Sequence, residues 1–106
     1  MTPEGRVSAA LRQAVINAGG EVRKLMWQGR IGAPDWFIAI AGRVVLIETK
    51  AKGERPRRSQ LVEFKRISVA SGIPVLVVDT AADAIAAVRA FVDCGDLSEW
   101  DFGRFL

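Results

Sequence analysis

Apolar residues recur at helical spacing in three parts of the chain, each bounded by a cap and a breaker. The first part follows Thr2-Pro3 and ends at Gly19-Gly20, which predicts a helix capped by Thr2. A second helix is predicted over residues 59–71, where Gly72 stops it. A third begins after a Thr80 cap and continues to about residue 92.

Runs of β-branched and aromatic residues fill the segments between these helices and predict four strands, over residues 21–27, 35–40, 43–50 and 73–78. Ala41-Gly42 separates the second and third strands by two residues, which indicates a tight hairpin. The third and fourth strands are joined through a helix, so they should pair in parallel. The order α-β-β-β-α-β-α therefore predicts an α/β fold, with a mixed sheet flanked by helices.

The composition limits which classes of protein remain possible. A length of 106 residues suits one domain, residues 1–106, and no apolar run approaches the ~20 residues of a membrane span. The chain has no histidine, which excludes His-based acid–base catalysis, Ser-His-Asp triads and His-ligated zinc. Its one cysteine, Cys94, predicts a reducing, cytoplasmic location and is expected to be a small packing residue. Hydrolytic chemistry would then depend on carboxylates, lysine and an oxygen-ligated metal.

The net charge of +3 is unevenly distributed along the chain. Residues 50–66 carry seven Lys and Arg against two glutamates, whereas the segment after them is acidic. Such a basic segment is either a surface that faces an anion or an ordinary solvated face.

The predicted hairpin places three charged residues together. With Ala41-Gly42 as the loop, Asp35 lies opposite Glu48, with Cβ atoms ~5 Å apart, and Lys50 shares their face. Two carboxylates this close repel unless a proton or a cation lies between them, and a divalent ion with oxygen ligands meets that need. The alternative is that these are solvent-facing residues at a strand end. A register shift of one residue would also turn Asp35 to the other face.

The stretches "GAPDWFIAI" and "VVLIETKAKGERPRRSQ" resemble the PD-(D/E)XK nucleases and, within them, the VRR-NUC family of small phage and bacterial proteins and repair-enzyme modules. Pro34-Asp35 matches the PD of the motif, and Glu48-Thr49-Lys50 matches its E-x-K. Gln60 matches the glutamine of the next helix, and Glu4 matches the early helical glutamate. The resemblance covers about residues 4–79 and implies a restriction-endonuclease-like α-β-β-β-α-β core, here with an extra C-terminal helix.

This resemblance implies a metal-dependent DNA endonuclease. Asp35, Glu48 and the backbone carbonyl of Thr49 would bind Mg²⁺ or Mn²⁺, and Glu4 would complete the site directly or through water. Lys50 would assist the attacking water, so Asp35, Glu48 and Lys50 are the expected catalytic residues. Gln60 would hold the site or contact the DNA backbone.

The resemblance also implies a DNA substrate and a second copy of the chain. The basic residues expected to contact phosphates are Lys52, Arg55, Arg57 and Arg58. Stand-alone family members act as homodimers on branched DNA, so we expect Holliday-junction-resolvase-like cutting by a homodimer. A phage-encoded protein that acts in the host cell would fit this expectation. The dimer interface would be supplied by the tail aromatics (Trp100, Phe102, Phe105) or by Trp27 and Trp36. The alternative is that these aromatics cover the domain's own core. Two alternatives are a DNA-binding module of this fold without independent catalysis, and a small α/β protein that binds another anion.

Overall fold

Three helices and four strands follow one another in the predicted order. The computed structural model of the chain describes residues 1–106. The elements are α1 (Pro3–Asn17), β1 (Glu21–Lys24), β2 (Trp36–Ile40), β3 (Arg43–Thr49), α2 (Arg58–Ser71), β4 (Val75–Val78) and α3 (Ala81–Val92), followed by a 3-10 turn at Phe102–Phe105. None of the helices combines the length and the apolar character that crossing a membrane would need.

The four strands form one mixed sheet in the order β1-β2-β3-β4. The first three strands pair antiparallel, and β3 pairs with β4 in parallel, as predicted. Ile40 pairs with Arg43 across the Ala41-Gly42 loop, where both loop residues have positive φ angles of 55° and 76°. Positive φ at both positions is typical of the tight turn that matches the twist of a hairpin. The predicted register is therefore confirmed, up to the last pair, Trp36 with Ile47.

All four strands are shorter than the sequence pattern predicted, β2 and β3 by one residue each and β1 and β4 by more. β1 ends at Lys24 rather than at residue 27, and Met26 is already 81% exposed. The last ladder-like bond of this segment joins the Leu25 N–H to the Asp35 carbonyl at 2.9 Å. β4 begins at Val75 because Pro74 has no N–H to contribute, although its carbonyl still accepts from Leu46.

Each face of the sheet carries its own apolar core. α1 and α3 cover one face, where Leu11, Val15 and Ile47 belong to a cluster of 14 buried residues. α2 and the C-terminal tail cover the other face, around Phe64 and Phe102, whose rings meet edge to face. Because side chains alternate along a strand, β3 directs its odd-numbered residues to α1 and its even-numbered residues to α2.

The C-terminal tail contributes to both cores, with Trp100 in the first cluster and Phe102 in the second, and it covers one edge of the sheet. Trp100 and Phe102 are 8% and 6% exposed, so both cover the domain's own core. The Trp100 carbonyl accepts from Val77 at 2.7 Å, and Asp101 forms a bridge to Leu76 on β4. β1 is the opposite edge of the sheet.

The expectation that Cys94 packs inside the protein is wrong. Its thiol is exposed, and its φ angle is +54°. The residue follows the end of α3, where the Gly95 N–H bonds back to the Ala90 carbonyl at 2.8 Å. Cys94 therefore belongs to the turn that ends the helix.

Replacing Leu11 by alanine should lower the free energy of unfolding by about 2–5 kcal/mol, because Leu11 is fully buried between α1 and the sheet. The matched control is Ile16→Ala on the same helix, where the side chain is 56% exposed and the expected change is below about 1 kcal/mol. Urea unfolding followed by circular dichroism measures both. Equal losses in the two variants would contradict the assignment of this core.

Candidate active site

The carboxylate of Glu48 is buried at the end of β3 and is held from three sides. Its residue is only 2% exposed. Oε1 accepts from the Asp35 backbone N–H at 3.0 Å, and Oε2 accepts from the Gln60 amide at 2.8 Å. The Lys50 ammonium lies 3.1 Å from the same Oε2. The hairpin thus brings Asp35, Glu48 and Lys50 together, as the register predicted.

Gln60 fixes the geometry of this cluster from the first turn of α2. Its side-chain oxygen accepts from the Arg57 backbone N–H at 2.8 Å and from Lys50 at 3.2 Å, while its amide nitrogen donates to Glu48. This is the only orientation of the amide in which all three contacts pair a donor with an acceptor. Gln60 is 6% exposed, so it holds the site from within the protein.

The carboxylate of Asp35 has one oxygen engaged by backbone and hydroxyl groups and one that faces only a cation. Oδ2 accepts from the Thr49 N–H at 3.1 Å and from the Thr49 hydroxyl at 3.0 Å. Oδ1 lies 3.4 Å from the Lys24 ammonium. The Asp35 side chain is 22% exposed, compared with 57% for Lys24. Oδ1 is therefore the oxygen that a bound cation could reach.

The hydroxyl of Thr49 connects the site to α1. Besides donating to Asp35, it lies 2.9 Å from the Ser8 hydroxyl and 3.3 Å from the Trp36 indole N–H. A hydroxyl has one proton to donate and two lone pairs that accept. Since its proton goes to Asp35 and the indole can only donate, the Ser8 hydroxyl must be the donor in the remaining contact. The hydrogen-bonding capacity of Thr49 is then fully used.

Ser8, Lys24 and Trp36 are site residues that the sequence analysis did not identify. Ser8 lies one helical turn after Glu4 and therefore on the same face of α1, which was the one available signal. The Lys24 ammonium and the Arg12 guanidinium also lie 4.9 Å and 5.7 Å from the centroid of the Trp36 ring. Nothing in the sequence pattern indicated that these two cationic side chains lie near the same indole ring.

Glu4 is exposed near the start of α1 and does not lie with the two carboxylates. No three Asp, Glu, His or Cys side chains are placed so that they could hold one metal ion together. The residue of α1 that contacts the site is therefore Ser8, through its hydroxyl. A ligand role for Glu4 remains a prediction.

The four predicted phosphate contacts, Lys52, Arg55, Arg57 and Arg58, are all exposed on the segment after β3. Arg55 also contacts the tail: its guanidinium lies 3.4 Å from the Phe105 carbonyl oxygen and 5.3 Å from that ring's centroid. This basic segment begins directly beside the buried cluster.

The electrostatics of the cluster favour an added positive charge. Burial raises the pKa of the Glu48 carboxyl, and the nearby Asp35 raises it further, against the opposing effects of Lys50 and Gln60. The oxygens of Asp35 and Glu48 are hard donors of the kind that Mg²⁺ and Mn²⁺ prefer. The residues present therefore fit a hard divalent cation.

We expect Glu48→Gln to remove a pH-dependent loss of stability. The raised pKa means that folded Glu48 binds its proton more tightly than the unfolded chain, whose glutamates titrate near ~4.3. Its stabilising contribution is thus complete below about pH 4 and is lost as the pH rises through the raised pKa. Urea unfolding in EDTA between pH 4 and 8 should show the wild type losing stability relative to the Gln variant.

Asp35→Asn is the matched control for this titration. It removes the second cause of the raised pKa but keeps the Glu48 carboxyl, so the decline with pH should become smaller. A wild type that gains stability over Glu48→Gln as the pH rises would show that Glu48 is held as a favoured anion, contrary to this prediction.

Comparison with known proteins finds relatives of this chain, although no family model matches it. "Putative nuclease p44" of Acyrthosiphon pisum secondary endosymbiont phage 1 is 36% identical over 78 residues, which are 73% of this chain and 83% of the phage protein. A solved structure described as a VRR-NUC domain superposes with a TM-score of 0.78 at 31% identity, over 86% of this chain and 99% of that one.

The fold of this chain therefore matches the restriction-endonuclease-like fold of that domain, as the sequence resemblance implied. The sequence identity to both relatives extends over most of each chain, and one of the two relatives is a solved structure of the family. The sequence identity, the shared fold and the cluster of Asp35, Glu48 and Lys50 therefore all indicate the same family. The chain belongs to the VRR-NUC family.

Proposed function

We propose that this chain is a metal-dependent DNA endonuclease that hydrolyses phosphodiester bonds, with selectivity for branched DNA. The observation that carries the proposal is the buried cluster in which Glu48 bonds to Asp35, Lys50 and Gln60 at once. Such a cluster keeps two carboxylates and a lysine in fixed positions beside an exposed basic segment. The name of the phage relative, a nuclease, supports the same class of activity.

The proposed cofactor is Mg²⁺ or Mn²⁺, which Asp35, Glu48 and the Thr49 carbonyl would hold. Of the two Asp35 oxygens, Oδ1 is the one not bonded to Thr49. When bound, such an ion polarises a phosphate oxygen and makes a bound water more acidic. Lys24 now faces Asp35 Oδ1 from an exposed position, so its side chain can move away without disturbing the core.

Lys50 is proposed to act on the water and on the phosphate. Its ammonium has three N–H donors, and Glu48 and Gln60 each accept one of them. The third can donate to the attacking water or to a phosphate oxygen on which negative charge develops. The side chain is 14% exposed, so its position is fixed by these contacts while one side stays open to solvent.

Selectivity for branched DNA is proposed from where the basic residues lie. The helices pack on the two faces of the sheet. Lys52, Arg55 and Arg57 lie in the segment between β3 and α2, and Arg58 is the first residue of α2. Contacts from such a segment reach phosphates, which position DNA without reading its sequence. We propose that two copies of the chain act together, because two-fold symmetry suits the two symmetric cuts of a four-way junction.

Lys50→Ala should lower the rate of cutting by at least about a hundredfold, because it removes the donor nearest the reacting water. The assay uses a labelled four-way junction and the matching linear duplex, with Mg²⁺, Mn²⁺ or EDTA. The matched control is Arg89→Ala, an equal loss of one positive charge at an exposed position on α3, across the sheet, which should cut at the wild-type rate.

The outcomes of this assay separate the candidate functions. Paired symmetric nicks in the junction alone, absent in EDTA, would support resolvase-like cutting. Junction binding without cutting in any metal would instead support the alternative, a nucleic-acid-binding module of this fold without independent catalysis. A protein that neither binds nor cuts DNA would contradict both.

Thr49→Val should weaken Mn²⁺ binding by about tenfold, because a partner that orients a metal ligand is worth this much or more. The substitution keeps the shape of the side chain but removes the hydroxyl that donates to Asp35 Oδ2. Thr49→Ser keeps the hydroxyl and should bind Mn²⁺ as the wild type does. Isothermal titration with Mn²⁺ measures both variants, and equal affinities for the Val variant and the wild type would show that this hydroxyl does not orient Asp35.

A further inference from the structure

A cleft of about 880 Å³ lies between the loop at residues 29–31 and the outer face of α2. Three arginines line it, together with one glutamate: Arg30, Arg58, Arg66 and Glu63. It lies beside the active site rather than at it. Of these residues, the sequence analysis assigned a role only to Arg58.

Arg30 is held in place by a two-point ion pair with Glu63. Its Nε and one terminal nitrogen donate to the two carboxylate oxygens at 3.2 Å and 2.9 Å. Glu63 is 5% exposed, and the Arg30 bond lowers the pKa of its carboxyl, so the glutamate stays charged. The Arg30 side chain is 54% exposed, which leaves its other N–H groups available to a ligand in a fixed orientation.

Arg58 and Arg66 supply charge that this ion pair does not neutralise. Neither of them forms an ion pair within 4.0 Å. The cleft therefore has an excess of two positive charges. Since a guanidinium matches the geometry of a phosphate through paired N–H groups, an array of three favours a ligand with several phosphates.

The cleft and the active site share one rigid support. Gly32 packs on α2 so closely that a Cβ there would lie 2.9 Å from the Ser59 carbonyl oxygen and 3.1 Å from the Glu63 Cβ. The loop that carries Arg30 therefore lies flat on α2 and leads directly into Asp35. On the same helix, Gln60 points inward to Glu48 while Arg58 and Arg66 line the cleft.

The dimensions suit an extended strand. Arg58 and Arg66 are eight residues apart on α2, which corresponds to about 12 Å along the helix axis. One strand of duplex DNA covers that length in about three to four nucleotides, at ~3.4 Å each. The cleft also includes the exposed apolar side chains Ile31 and Val62, which suit contact with sugars better than with a small free anion.

We infer that this cleft binds the phosphodiester backbone of the substrate strand on one side of the cut, through Arg58, Arg66 and the Arg30 guanidinium fixed by Glu63. The inference rests on the proposed nuclease function and extends it from the reacting phosphate to its neighbours. Arg30 and Arg66 thereby become substrate-positioning residues.

The test is DNA binding by Arg58→Ala and Arg66→Ala, measured in EDTA by fluorescence anisotropy on a labelled duplex and a labelled four-way junction. Each variant should weaken binding by about five- to twentyfold near 100 mM salt, because each removes a charge-assisted phosphate contact. Each should also reduce the slope of log Kd against log salt by about one. The matched control is Arg89→Ala, an equal loss of charge on α3, across the sheet, where neither quantity should change.

The possible results distinguish this inference from the nuclease proposal. If the wild type binds and cuts DNA while the Arg58 and Arg66 variants match Arg89→Ala in affinity and salt slope, the proposed binding role of the cleft would be overturned but not the nuclease proposal. If the two variants lose affinity as predicted but the wild type never cuts DNA, the result would support the binding role of the cleft and contradict the catalytic proposal. A wild type that does not bind DNA would overturn both.

Discussion

The buried carboxylate of Glu48 is the constraint on which the rest of the structure depends. Removing a charge from water costs several kcal/mol unless other groups replace the lost hydration. Here the replacement comes from a backbone N–H of the hairpin, an amide of α2 and the ammonium of Lys50. Each of these donors belongs to a different part of the chain, so burying one side chain fixes the hairpin, the helix and the loop relative to one another.

The site also connects the two faces of the sheet. Glu48 and Lys50 face α2, whereas the Thr49 side chain between them contacts Ser8 on α1. Asp35 contacts the residues of both faces, since its N–H donates to Glu48 and its carboxylate accepts from Thr49. Neither core can loosen without disturbing the carboxylates. The geometry of the site is therefore a property of the packed fold as a whole.

The hairpin could be predicted from sequence because its register follows from local rules. Ala41-Gly42 sets the turn, the two-residue period of a strand sets the faces, and Asp35 then falls beside Glu48. The element order was predictable for the same reason, because caps, glycines and apolar spacing are local signals.

What the sequence did not predict depends on packing between distant segments. The contact of Ser8 with Thr49 spans 41 residues, and that of Arg30 with Glu63 spans 33. No local pattern sets how far α1 rotates about its axis or where the loop before Asp35 lies on α2. The exposure of Cys94 was also missed, since it depends on how the chain turns at the end of α3.

The two edges of the sheet differ in a way that bears on self-association. The tail covers β4, where Asp101 bridges to Leu76 and the Arg104 guanidinium donates to the Val77 carbonyl at 3.1 Å. The other edge, β1, is short and exposes Glu21, Arg23 and Lys24 to solvent. A strand added there would have to bury or neutralise these charges, which disfavours edge-to-edge growth into fibrils. A protein built this way can accumulate at high local concentration on a polyanion without its sheets joining edge to edge.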